Sequence, residues 1–380
     1  AGASTRKEGN MKRIILCFDG TWNDWEGSPD RGKLASNVVR FYESVLAEEI
    51  GPRRCGPGKS PQVRTLKWYD AGVGAHWGEK VRGAFGYGLS RNIMDAYHTV
   101  VRNYTPGDEI YSLGFSRGAY SARSLAGLIR KTGVVRTEFA SDPDPADNPR
   151  LEDAYKLYRR RDKDADADDV KAFRHEYSYS ESPPDICVVG VWDTVGALGV
   201  PTDLLQSGPL KLVGSLVDHI KADMYGFHDT RLSRYVKNAF HALAIDEHRE
   251  AYAPTLWTDI EPGRNVKQLW FAGCHCDIGG GYESHALADV TLRWMQECCQ
   301  LDGNGLEFSA LAGVPSDEEL GRARPVNSYE KFLDGGYARL HKPLYRALTR
   351  ENVHESAWKL RELTASAATP PGGYSPPQLA

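Results

Sequence analysis

The 380-residue chain has no apolar run near the roughly 20 residues needed to span a bilayer. Its first ten residues, AGASTRKEGN, have no hydrophobic stretch of the kind a secretory leader needs. They read as an expression scar (1–10), with the natural start at Met11. Cysteine is sparse and odd in number, at positions 17, 55, 187, 274, 276, 298 and 299, which argues against a disulfide framework. Cys17 and Cys187 lie inside apolar runs, where a free thiol behaves as a small hydrophobe. The expected compartment is therefore the reducing cytoplasm, and export without a leader stays compatible with that. There is no excess of positive charge: 47 basic against 51 acidic side chains leave a net charge of -4, so no nucleic-acid partner is expected. Peripheral membrane contact through a local patch remains open. No internal repeat is visible.

Two motifs that would imply a bound group are incomplete. GPGKS at 56–60 echoes a phosphate loop, but Arg53 stands where that loop requires glycine. CHCD at 274–277 has metal-ligand residue types without a second cluster at zinc-like spacing. We expect no metal and no cofactor.

What is present is a series of apolar, β-branched or aromatic runs that each end in a polar or glycine-rich turn. They are RIILCFDGTWND (13–24), TLKWYDAGVG (65–74), EIYSLGFSRG (109–118), ICVVGVWDTVGALG (186–199) and VKQLWFAGCHCDIGGGY (266–282). Continuous apolar runs suit strands buried on both faces of a parallel sheet. Helical patterns separate them. SRNIMDAYHTVVRNY, with Ser90 as N-cap, puts Ile93, Ala96, Tyr97, Val100, Val101 and Tyr104 on one face. After Ser116, the residues Ala119, Ala122, Leu125, Ala126 and Ile129 form a second stripe, and ESHALADVTLRWMQECC begins a third helix. Alternating strands and helices predict an open, doubly wound α/β fold. Its sheet would be mostly parallel, with helices on both faces and inserted helical or cap segments. Residues 11–380 read as one domain. It has a polar excursion at 138–185 around the helix-like RLEDAYKLYRR and a helical segment at 201–236 that is either a cap or core packing. HALAIDEHR (241–249) reads as helix or a helix end.

Chemistry concentrates at the carboxyl ends of the strands, where open α/β sheets bind ligands. GFSRG places Ser116 between Gly114 and Gly118 at a strand-to-helix junction, the context in which G-x-S-x-G holds a nucleophile. A nucleophilic serine needs a base, and the base needs an orienting acid. The chain order serine, acid, histidine is met by Asp193, closing ICVVGVWD, and His275, following LWFAG. His241 and His248 are rival bases, and Asp277 is the rival acid, equally suited to holding its own loop. The oxyanion hole would pair the Arg117 amide with one from Gly20 or Thr21 in FDGTWND, while Asp19 would hydrogen-bond within that turn.

FDGTWND, YDAGVG, GFSRGAYSARSLAGLI, VGVWDTVGALG, FHDTRLS, HALAIDEHR and CHCDIGGGY occur here in that order. LADVTLRWM and the tail ENVHESAWKLREL…GYSPPQL extend the series to most of residues 13–379. Together they resemble an α/β-hydrolase-like family that includes type VI secretion phospholipase effectors. The resemblance implies an α/β-hydrolase-like core and a serine hydrolase acting on lipid esters, with nucleophile Ser116, acid Asp193 and base His275. Cys274 and Cys276 flank the histidine where that family usually has valine and serine. The expected function is carboxylic-ester hydrolysis through a Ser-His-Asp triad and an acyl-enzyme. The substrate would be an ester, in one case a lipid or phospholipid. The alternatives are a non-catalytic binding scaffold on the same fold and a metal-dependent hydrolase centred on His275.

Overall fold

A computed structural model describes residues 11–20, 35–50, 63–72, 84–140, 144, 147–160, 167–195, 231–331, 335–365 and 373–379. Thr21 and most of the 201–236 segment lie outside the described residues.

The first apolar run forms β1 (Arg13–Phe18) at the centre of the sheet. Its side chains alternate between two cores. Ile14, Leu16 and Phe18 enter one cluster, and Ile15 and Cys17 enter the other. Every residue of β1 is buried, which is why the run shows no apolar/polar alternation. α1 (Asn37–Ser44) follows, capped by Ser36, whose side chain accepts from the Val39 N–H. The chain then makes the short β2 (Glu48–Glu49), β3 (Thr65–Asp70) and α2 (Ala84–Asn103). α2 begins six residues before the expected N-cap, so Ser90 is interior to the helix. The six apolar residues of its expected stripe are all buried. β4 (Glu109–Phe115) leads into α3 (Arg117–Thr132), and β5 (Ile186–Trp192), β6 (Val236–Ala244) and β7 (Asn265–Phe271) complete the strands.

Among the described residues the sheet has seven strands in the order β2-β3-β1-β4-β5-β6-β7, and all of its pairings are parallel. From β1 the chain goes out to β2 at one edge, comes back through β3 beside β1, then crosses to build β4 to β7 in order on the other side. The direction of winding therefore reverses at β1 and β4, the place where doubly wound sheets open a crevice. α2 and α3 cover one face, and α1 and α7 (Ala286–Gln300) cover the other.

Two expectations are corrected. The 241–249 segment is not helical at its start, because His241 belongs to β6. The charged 138–185 stretch contains two helices, α4 (Pro149–Arg159) and α5 (Asp168–Tyr177). Their Leu151, Ala154 and Phe173 are buried in the same core as α3, so the stretch is solvated on one side only. Beyond β7, α8 (Asp317–Arg322) and α9 (Glu355–Ala365) bring Leu320, Ala357 and Leu360 against Leu243, Ile245 and Trp270 in a third cluster. This third core ties the C-terminal part of the chain to the carboxyl ends of β6 and β7.

Candidate active site

Ser116 joins β4 to α3 with φ 59° and ψ -122°, a conformation that a side-chain-bearing residue adopts only when its surroundings enforce it. Two glycines make the turn possible. A Cβ at Gly118 would lie 2.2 Å from the Phe18 carbonyl oxygen and 2.4 Å from that of Asp19. One at Gly114 would lie 2.4 Å from the Gly118 carbonyl oxygen. The helix start thus packs directly on the end of β1, and the spacing G-x-S-x-G is the spacing of these two close approaches. The Ser116 N–H donates to the Trp192 carbonyl at 3.1 Å, which sets Ser116 beside the residue preceding Asp193.

Asp193 follows β5, is fully buried and also has positive φ, 36°. Its Oδ2 lies 2.6 Å from Nδ1 of His275, the first residue of the short α6 (His275–Gly279). This contact fixes the imidazole so that Nε2 is the ring nitrogen left for proton transfer. The Phe115 ring, next to Ser116, packs on the imidazole with centroids 4.6 Å apart, and Tyr252 meets it edge-on at 5.0 Å. Burial by itself would raise the Asp193 carboxyl, but Arg346 and the hydrogen bond to His275 hold it well below the usual carboxylate range.

Arg346 is a site residue that the sequence reading missed. Its Nη1 donates to Asp193 Oδ1 at 2.6 Å and its Nη2 to Oδ2 at 3.1 Å. Glu247 is another. Buried below α6, it accepts from the His275 backbone N–H (3.3 Å), the Ser328 hydroxyl (2.9 Å) and Arg249 (2.7 Å). Only Glu247 and Arg249 lay in a segment with a motif, HALAIDEHR, and there the histidines drew attention.

The remaining candidates fall into place as supports. Asp277 Oδ2 accepts the Cys274 and Val326 N–H groups, both at 2.9 Å, and so holds the histidine loop. Asp19 organises its turn, accepting from the Ser36 hydroxyl at 2.6 Å and the Tyr69 hydroxyl at 2.8 Å. It also accepts the Gly20 amide at 2.6 Å. The Gly20 N–H is therefore engaged within its own turn. His241 accepts the Thr194 N–H at 3.1 Å, and burial pushes its imidazole down to about 3, so it is a neutral structural histidine. The His248 ring packs against Tyr345, 4.8 Å between centroids. Among the described residues no group of three or more His, Cys, Asp or Glu side chains could hold a metal ion. The metal reading therefore lacks a ligand set there. Nor is any helix among the described residues long and apolar enough to cross a membrane.

Three comparisons bear on this arrangement. The family model described as T6SS, Phospholipase effector Tle1-like, catalytic domain matches residues 12–298. The uncharacterized protein YEL023C of Saccharomyces cerevisiae is 23% identical over 276 residues, 66% of this chain. The chain spans 33% of that relative's length. Among solved structures, an uncharacterized protein from Pseudomonas aeruginosa is 17% identical, with a TM-score of 0.47, covering 96% of this chain and 60% of that one. A Tle1 effector bound to the VgrG spike of the type 6 secretion system is 19% identical, with a TM-score of 0.36, covering 72% of this chain and 52% of that one.

Proposed function

The chain belongs to the family of Tle1-like phospholipase effector catalytic domains, and from that premise we propose that it is a serine esterase acting on lipid esters, phospholipids included. The observation that carries the reading is the buried 2.6 Å contact of His275 Nδ1 with Asp193, set one residue from the strained turn that presents Ser116. In this mechanism Ser116 Oγ attacks the ester carbonyl while His275 Nε2 takes the hydroxyl proton. Asp193 stabilises the imidazolium that forms. The tetrahedral oxyanion is held by the Arg117 amide at the start of α3, helped by the helix N-terminus. The imidazolium then protonates the departing alcohol, leaving an acyl-serine. A water molecule, deprotonated by the same imidazole, releases the carboxylic acid.

A lipid substrate suits the surface beside the site. Leu340, Leu344 and Tyr345 are exposed in the few residues before Arg346, and Arg339 and Lys342 lie in the same stretch. Peripheral contact of this stretch with a membrane is part of the proposal. The thiols of Cys17, Cys187, Cys274, Cys276, Cys298 and Cys299 are unpaired, and we place synthesis and folding in a reducing cytoplasm.

The test is hydrolysis of p-nitrophenyl esters of graded acyl length and of mixed-headgroup phospholipid vesicles, with and without a chelator. The proposal expects fatty-acid release that chelation leaves unchanged and that Ser116→Ala lowers by about 10⁶-fold. A Ser116→Ala protein of undiminished rate would refute it.

A further inference from the structure

We infer that Arg346 is the positioning residue of the catalytic acid, so that the C-terminal segment beyond the family-matched core completes the site. The inference rests on the serine-esterase reading above and adds to it how the acid is held.

Arg346 lies 153 residues after Asp193 and outside the matched span 12–298. Its buried guanidinium reaches three segments at once. Besides its two bonds to Asp193, Nη1 donates to the Ala244 carbonyl at 2.8 Å and Nη2 to the Tyr252 carbonyl at 2.6 Å. Ala244 N–H donates to Asp193 Oδ1 at 3.1 Å. Oδ1 therefore receives Arg346 and Ala244, and Oδ2 receives Arg346 and His275. An ionised carboxylate has about four acceptor sites, and here three are taken by rigid donors. The planar two-bond match with guanidinium fixes the carboxylate plane as well as its place. The only orientation left presents Oδ2 to His275.

The pairing also has an electrostatic consequence. Before reaction, Arg346 and Asp193 form a neutral pair beside an uncharged imidazole. When His275 takes the serine proton, the cluster gains a net positive charge. Arg346 thus balances the charge of the acid while holding it in line. Loss of the guanidinium should slow the chemistry, through lost orientation. A residue with only a structural role would change the folded fraction and leave the labelling rate per folded molecule where it was. The other groups facing this cluster are Glu247 and Arg249, which pair with each other, Asp246 and Asp277, and Arg123. Arg117, Tyr252 and the neutral His241 complete the set. All are retained in the Arg346 variants below, so a difference in rate reports on Arg346.

The experiment measures the rate of fluorophosphonate labelling, by intact mass, from pH 5 to 9 on the full chain. The proteins are wild type, Arg346→Met, Arg346→Lys, Asp193→Asn and the Asp193→Asn/Arg346→Met double variant, each with its melting temperature. We expect Arg346→Met to label about 10²-fold more slowly than wild type. Arg346→Lys keeps the charge without the planar pair. It should lose only about tenfold in rate, a partial rescue that carries the test if the Met variant does not fold. The double variant should be no slower than Asp193→Asn, because both changes act through one carboxylate. Labelling of both Arg346 variants at the wild-type rate, or effects that multiply in the double variant, would overturn the inference and leave the esterase standing. A folded wild type that takes no label would remove the esterase reading itself.

Discussion

At Ser116 the backbone holds φ 59°, a strain of order 1–3 kcal/mol that only surrounding structure can sustain. The same holds at Asp193, with φ 36°. Both residues close strands, and both strand ends were readable because an apolar run stopped at a residue able to do chemistry. That made the Asp193–His275 contact legible before any coordinates. Arg346 was not legible, since an arginine in HKPLYRALTR carries no pattern and its role exists only through a contact spanning 153 residues. The engaged Gly20 amide was hidden for a different reason: a turn's donors can be placed by sequence, but not the acceptor each one finds. Asp193→Asn should lower kcat by about 10⁴-fold, the loss expected when the imidazole is held in the wrong tautomer. It also leaves Arg346 buried without its anion, a destabilisation of about 3–5 kcal/mol that thermal unfolding would read.

At the scale of elements, the candidate nucleophile depends on how closely α3 approaches β1. Gly118 meets the Phe18 and Asp19 carbonyls at distances that leave no room for a methyl group. Gly118→Ala should push the helix start away from β1, destabilise the fold by about 1–3 kcal/mol and suppress labelling of Ser116. A variant with wild-type melting temperature and labelling would show that the close approach is dispensable. The strand-helix alternation was legible because β1, β4 and β5 are buried on both faces and flanked by turn residues. β6 was misread at HALAID, because a short buried run rich in alanine and leucine has no periodicity that separates strand from helix. Tertiary pairing with β5 and β7 decides it. α5 escaped notice because its buried face amounts to Val170, Phe173 and Arg174 within a charged stretch.

At the scale of the whole molecule, the C-terminal segments close the site from the β7 side of the sheet. One contact there gives a pH-dependent prediction. Asp246 Oδ2 accepts the Gly273 N–H at 2.7 Å and the Tyr374 hydroxyl at 3.0 Å. Burial pushes its carboxyl up to about 6 despite these bonds, with the nearby Asp277 adding to the rise. Since the folded value lies above the ordinary one, folding takes up a proton between about pH 4 and 6. The stability linked to that proton is present below about pH 4 and is lost as pH rises through 6. Asp246→Asn can keep both bonds through its amide oxygen without burying a charge. It should therefore be more stable than wild type by about 1–3 kcal/mol at pH 8, with the gain gone at pH 4. Denaturant titrations at the two pH values would check it.

The central claim is that Ser116 is an activated nucleophile served by His275 and Asp193. Its most direct test is peptide mapping by mass after fluorophosphonate treatment of wild type and Ser116→Ala. The account predicts one adduct on the wild type, located on Ser116, and none on the variant. An adduct that persists in Ser116→Ala, or a folded wild type that takes none, would contradict it.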